Sequence, residues 1–468
     1  GNCRAFLART RPSKEDAGIG PWRGVRRRGT RSPVQVEISK HFQSRHPSPI
    51  RLAQILFAQR ADRDQVEVVN IAIGNVSRPM HPAMQARMRG LGAPESPFSS
   101  GVVKYTATVG TAEAQAAFLN IIASGGWSTD GLHCVVTDGG SQAMALMVLG
   151  VCGPGAERPL MLLDPAYTNY LDMARRANAR TVSLRRELAE DGSFAPPDLA
   201  ALEAAIRTHR PCGLVVIPAD NPTGQLVPQS ELVEMARLCV RHNIWMISDE
   251  AYRQLHYTHA PVSSIWAITE QEVPGITGRR ISIESASKVW NACGLRIGGL
   301  VTDNAELHTR AVAELTANLC ANALGQHLFG ALAHLDAAEL QRWYAEQRGY
   351  YAPMLRALAE GFEAVLPGII VSLPQASLYS VVDLRRIAPP GFDAGRFVSW
   401  CASEGRVSLD GTDYTLLVAP MQGFYTDRSG GSHGATQLRL AMVESPEKMA
   451  LVPRLFAALF RAYSAQVE

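Results

Sequence analysis

Between about residues 95 and 330 the chain alternates short apolar runs with amphipathic stretches, and this alternation restricts the possible fold more than any other feature of the 468 residues. The apolar runs lie near 133–137, 159–163, 180–185, 213–218, 244–248, 280–285 and 297–302. Helical stretches such as 141–151, 196–208 and 229–242 separate them. Runs that are apolar at successive positions bury both faces of a strand, and the intervening helices supply the crossovers that parallel strands need. The expected fold class is α/β: a mostly parallel seven-stranded sheet covered by helices on both faces.

From about 335 the pattern changes. A charged helix is followed by strands near 368–373, 378–383, 414–419 and 437–443 and by a closing helix near 446–463, which suits a smaller α+β domain. A hydrophobic content of 46% in a chain of this length exceeds what one core usually holds. The expected division is a flexible basic arm over 1–39, a small domain from 40–94 and 335–468, and a large domain over 95–334. Residues 1–31 carry nine basic side chains against Glu15 and Asp16, a local charge of +7, so with +3 in total the remainder carries −4. The arm has little apolar periodicity and lacks the continuous apolar core of a secretory signal. No apolar run reaches the roughly eighteen residues that argue for a membrane span. The eight cysteines contain no Cys-x-x-Cys pair and read as free thiols in a reducing, cytoplasmic setting. Neither they nor the histidines have metal-ligand spacing, and no metal is expected.

The polar clusters at the ends of the apolar runs carry the chemistry. Lys288 stands in Ser285-Ala286-Ser287-Lys288, with Arg296 in Gly294-Leu295-Arg296-Ile297-Gly298 close behind. An amine flanked by hydroxyls and a guanidinium suits an enzyme that holds a phosphorylated aldehyde as a Schiff base, with Ser285, Ser287 and Arg296 on the phosphate. Pyridoxal 5'-phosphate (PLP) is the first cofactor to test. Asp220-Asn221-Pro222-Thr223-Gly224 and Ser248-Asp249-Glu250-Ala251-Tyr252 each follow an apolar run, where open α/β sheets collect ligands. Asp249 could pair with a protonated pyridine nitrogen, and Asn221 and Tyr252 with the ring's phenolic oxygen. Val135-Val136-Thr137-Asp138-Gly139-Gly140-Ser141-Gln142 runs from a strand through glycines into a helix, so Gly140, Ser141 and Gln142 read as part of a phosphate cup. Tyr167, in Asp164-Pro165-Ala166-Tyr167, could stack on the ring. Taken singly, these residues also read as a solvated lysine, a turn, a helix cap and a core aromatic. Those readings leave their order along the chain unexplained.

In these motifs, over about residues 65 to 465, the chain resembles the fold type I PLP-dependent enzymes, specifically the class I/II aminotransferases and their aspartate and aromatic aminotransferase branch. The resemblance implies that Lys288 is the Schiff-base lysine, Asp249 the pyridine partner, and Asn221 and Tyr252 the contacts of the phenolic oxygen. Gly140, Ser141, Gln142, Ser285 and Arg296 match phosphate-binding positions, and Tyr167 the stacking aromatic. Arg439, in Thr436-Gln437-Leu438-Arg439-Leu440, matches the arginine that grips the substrate α-carboxylate, and Gly74, in Val69-Asn70-Ile71-Ala72-Ile73-Gly74, the glycine beside it. Tyr105 matches a tyrosine that reaches the phosphate of the neighbouring subunit, which implies a homodimer.

The resemblance further implies amino-group transfer between an L-amino acid and a 2-oxo acid, with no nucleic-acid or membrane partner. Ala114-Gln115 departs from the usual Leu-Arg and weakens a local match without touching the chemistry, whereas Gln375-Ala376-Ser377-Leu378-Tyr379, without the usual glycine, and Pro420-Met421-Gln422-Gly423-Phe424-Tyr425 depart in loops that shape the side-chain pocket. Arg78 lies near the region of a distal-carboxylate contact but reads as a solvated loop charge. A PLP enzyme of different outcome (elimination, replacement, cyclisation or oxidation) is the alternative. A PLP-fold transcription regulator would need a helix-turn-helix module that some forty residues of low periodicity cannot supply.

Overall fold

The computed structural model describes residues 36–426 and 433–467. Residues 1–31, the basic stretch of the arm, lie outside the described residues. Contacts divide the chain into Gly1–His46 and Pro47–Glu468. In the first unit the described part holds one short helix, Lys40–Gln43, capped by Ser39.

In the second unit, β1 (Glu67–Asn70) precedes a seven-stranded sheet made of β2 (His133–Asp138), β3 (Leu160–Asp164), β4 (Thr181–Arg185), β5 (Gly213–Val216), β6 (Trp245–Asp249), β7 (Arg280–Ser285) and β8 (Ile297–Thr302). Its order is β2-β8-β7-β6-β5-β3-β4. Every pairing is parallel except those of β8, which runs antiparallel to both β7 and β2. Residues 286–296 join β7 to β8 without a crossover helix, so β8 must return antiparallel. That short connection carries Lys288 and Arg296.

Alternate residues of the strands feed two cores. Leu162, Val215, Ile247, Ile281 and Leu300 pack with the helices Gly139–Val151 and Ala305–Leu315 on one face. Met161, Leu163, Leu214, Val216, Met246 and Val301 join the core on the other, with the helices Ala112–Ala123 and Gln229–Arg241. Burial on both faces explains why these strands read as unbroken apolar runs.

Beyond the sheet, β9 (Ile370–Val371), β10 (Tyr379–Asp383), β11 (Val407–Leu409), β12 (Thr412–Leu417), β13 (Ala419–Pro420) and β14 (Gln437–Ala441) form two small sheets, with β1 pairing parallel to β12. The final helix Pro446–Val467 packs on the sheet of β1, β12 and β11, and the 29-residue helix Ala337–Val365, started by an Asp336/Glu339 capping box, packs against that helix. Among the described residues no helix is long and apolar enough to cross a membrane.

Candidate active site

Strand direction assembles the site. Asp138, Asp249 and Ser285 end β2, β6 and β7, while Asn221 and Tyr167 follow β5 and β3 by a few residues. Because β8 is reversed, its N-terminal end reaches the same edge and delivers Arg296. A cavity of about 860 Å³ opens there, lined by twelve of the fourteen residues singled out in the sequence: Gly74, Gly140, Ser141, Tyr167, Asn221, Asp249, Tyr252, Ser285, Ser287, Lys288, Arg296 and Arg439. Gln142 and Tyr105 are the exceptions. The Gln142 side chain turns back to accept the Asp138 N–H at 2.7 Å, so it holds the strand-to-helix turn and does not face the cavity. Tyr105 is 77% exposed.

At one end of the cavity the helix Gly139–Val151 begins with no side-chain cap, leaving first-turn N–H groups without helical partners. The Arg296 guanidinium lies against Gly139, donating from Nη1 to the Cys293 carbonyl at 2.8 Å and, at 3.5 Å, to Ser287 Oγ. Gly139 has φ +71° and any Cβ there would strike that guanidinium, so both its backbone and the close approach require glycine. Free N–H groups, a helix dipole and a planar cation together form an anion cradle.

Asp249 is fully buried. Tyr170 Oη donates to its Oδ2 at 2.9 Å and the Ala251 N–H to its Oδ1 at 3.2 Å. Burial pushes its carboxyl up to about 6, reinforced by the nearby Glu250 and Glu284. No arginine or lysine pairs with it among the described residues, so it suits a ligand that brings a positive N–H. Lys288 Nζ donates to the Gly74 carbonyl. A Cβ on Gly74 would meet the Tyr379 hydroxyl and the lysine amine, which accounts for the glycine.

A hydrogen-bond chain crosses the cavity wall. Arg439 Nη1 donates to Asn221 Oδ1 (2.9 Å), Asn221 Nδ2 to Tyr252 Oη (3.2 Å), and Tyr252 Oη meets Tyr379 Oη at 2.9 Å. Arg439 also donates from Nη2 to the Ala72 carbonyl at 2.7 Å and lies between the rings of Tyr379 and Phe424, 4.4 and 4.9 Å from their centroids. It is buried, its Nε has no partner, and no carboxylate pairs with it among the described residues. Burial raises the phenol of Tyr167 to about 12 and that of Tyr252 well above its usual range, keeping both protonated as donors.

Sequence reasoning assigned no role to Tyr170, Tyr379 or Arg51. The Tyr167-x-x-Tyr170 spacing, one helical turn, was the available signal for the first. Tyr379 could be placed only by folding, and Arg51 reaches the cavity from the helix Pro49–Gln59 together with Gln54. Arg78 stays outside the cavity, donating to Gln347 and stacking on Tyr350.

These residues fit PLP: an anion cradle for its phosphate, an unpaired buried acid for its ring nitrogen and an amine for its aldehyde share one cavity. The family model for class I and II aminotransferases matches residues 67–410. An aspartate aminotransferase of Musicola paradisiaca is 25% identical over 338 residues, 69% of this chain and 78% of that protein. A probable N-succinyldiaminopimelate aminotransferase of Mycobacterium tuberculosis is 34% identical over 167 residues, 35% of this chain and 39% of its own. In fold, a single mutant of Thermus thermophilus aspartate aminotransferase superposes with a TM-score of 0.72 at 22% identity, over 91% of this chain and all of that one. With the motifs, the cradle and the family match in agreement, the chain belongs to the class I and II aminotransferases and is a PLP-dependent transaminase of fold type I.

Proposed function

We propose that this site moves an amino group between an acidic L-amino acid and a 2-oxo acid, with Lys288 as the proton carrier and Arg439 as the carboxylate clamp. The observation that carries the reading is Arg439, a buried guanidinium held between two aromatic rings, with no carboxylate partner among the described residues, in the cavity that also holds Lys288. When bound, PLP supplies an aldehyde that takes up the amino group and a ring that spreads the electrons left at Cα. Ser285, Ser287, Arg296 and the first-turn N–H groups of Gly140, Ser141 and Gln142 hold its phosphate, and Tyr167 packs on its ring. Asp249 keeps the ring nitrogen protonated, while Asn221 and Tyr252 hold the phenolic oxygen. Arg439 would fix the substrate α-carboxylate beside Gly74, and Lys288 Nζ, freed from the cofactor, would take and hold the Cα proton.

Acidic donors are supported by Arg51 and Gln54 on the cavity wall and by relatives named for aspartate and N-succinyldiaminopimelate. In a screen of donors with 2-oxoglutarate or oxaloacetate as acceptor, glutamate or aspartate is expected to turn over fastest. Because Arg51 is exposed, Arg51→Gln should raise KM for these donors only about fivefold and leave alanine unaffected. Ammonia released without need of an acceptor would contradict amino transfer.

Tyr105, with the exposed Val102 and Val103 beside it, supports a homodimer in which this tyrosine reaches the partner's phosphate. Sedimentation of the holoenzyme as a monomer would contradict it. The described cysteines are all unbridged, which supports a reducing, cytoplasmic setting.

Asp249 gives a pH prediction for the cofactor-free protein. Its folded-state value, about 6, lies above the ordinary carboxyl value of about 3.9. The group therefore contributes stability below about pH 4 that is lost as the pH climbs through about 6. Relative to wild type, Asp249→Asn should gain about 3 kcal/mol of stability between pH 4 and 7. Urea titrations of both proteins across that range check it, and a constant difference would count against the buried, unpaired acid.

A further inference from the structure

Two cysteines far apart in sequence meet at the end of the sheet opposite the cavity. Cys152 caps the C-terminus of the helix Gly139–Val151, and Cys212 immediately precedes β5. Their sulfurs are 2.8 Å apart, closer than two thiols resting in ordinary contact, and Cys212 Sγ also lies 3.2 Å from the Pro159 carbonyl. Cys152 is partly exposed, so a small reagent can reach the pair from solvent, whereas Cys212 is buried behind it. Arg158 places a fixed positive charge alongside: its Nη2 donates to the Pro211 carbonyl at 2.6 Å and its Nε to that of Arg210 at 3.1 Å. Arg158 favours the thiolate on the pair, and the close contact divides it: the hydrogen bond to Cys212 and burial push the Cys152 thiol up, while the same hydrogen bond lowers that of Cys212. For the other buried thiols burial is the dominant influence, with no second thiol beside them among the described residues. Burial pushes Cys134, Cys239 and Cys401 up, keeping them protonated and inert.

We propose that Cys152 and Cys212 are a redox-responsive pair that closes into an intramolecular disulfide by exchange with a small-molecule disulfide such as oxidised glutathione. Cys152, the reachable thiol, passes its proton to the Cys212 sulfur 2.8 Å away as it attacks one sulfur of the reagent, forming a mixed disulfide and releasing one glutathione thiolate. Cys212 gives that proton up to the released glutathione and attacks the Cys152 sulfur, releasing the second. Two electrons pass from the protein to the reagent, and the two protons lost by the cysteines end on two molecules of reduced glutathione. The bond would tie the far end of the phosphate-cradling helix to the strand that leads to Asn221. Since it forms at the end of both elements away from the cavity, its expected effect is on stability, with turnover unchanged.

Incubating the holoenzyme with oxidised glutathione, alkylating the remaining thiols and mapping the peptides tests this directly. The expected result is a Cys152–Cys212 linked peptide, two fewer free thiols, and a Tm higher by about 5 °C that dithiothreitol reverses. Cys152→Ser and Cys212→Ser should each lose the linked peptide and the Tm rise. Recovery of both cysteines alkylated from the treated wild type, or of Cys152 stably glutathionylated with Cys212 free, would overturn the proposal.

Discussion

Lys288→Ala is expected to lower kcat by at least about 10⁴-fold, because in the proposed mechanism one side chain would both form the covalent bond to the cofactor and move the substrate proton. The fold should survive. Lys288 sits on the β7–β8 connection at the cavity wall, where its amine bonds to the Gly74 carbonyl and takes no part in either core. The variant should still bind PLP through the Arg296 cradle and Asp249. Steady-state assays with the preferred donor, alongside cofactor content measured after dialysis, check both halves. Loss of the cofactor together with activity would mean that the cradle contributes less to binding than its geometry implies.

The second large effect is expected at Arg439. Arg439→Gln should reduce kcat/KM about a hundred- to a thousandfold for amino acid and oxo acid alike, since both carry the carboxylate that a buried guanidinium would pair with. The loss should fall mainly on KM. Arg439→Lys should recover little of it, because an ammonium cannot span Asn221 Oδ1 and the Ala72 carbonyl while lying flat between Tyr379 and Phe424. Measuring kcat and KM separately for donor and acceptor checks this, and a defect confined to one substrate would argue against the clamp.

How much of this was legible follows from particular residues. The strands of the large sheet were visible because runs such as Leu160–Asp164 and Arg280–Ser285 are buried on both faces, and their polar ends then marked the site edge. The place of β8 between β2 and β7 was not visible, since strand order depends on long-range pairing. Motif residues carried by strand ends came together, while residues placed by tertiary packing escaped notice. Tyr170 reaches Asp249 from the next helix, Tyr379 arrives from a separate sheet, and Arg51 from an N-terminal helix. Gln142 is a divided case: its side-chain oxygen accepts the Asp138 N–H, so only its backbone N–H is left for the cup in which the sequence put it. The contact between Cys152 and Cys212, sixty residues apart, has no local sequence signature at all.

Borohydride reduction of the freshly purified yellow holoenzyme, followed by peptide mapping, tests most directly the claim that Lys288 holds the cofactor. The account predicts a single pyridoxyl-modified peptide carrying the label on Lys288. A label on any other residue, or a colour lost on reduction without covalent incorporation, would contradict it.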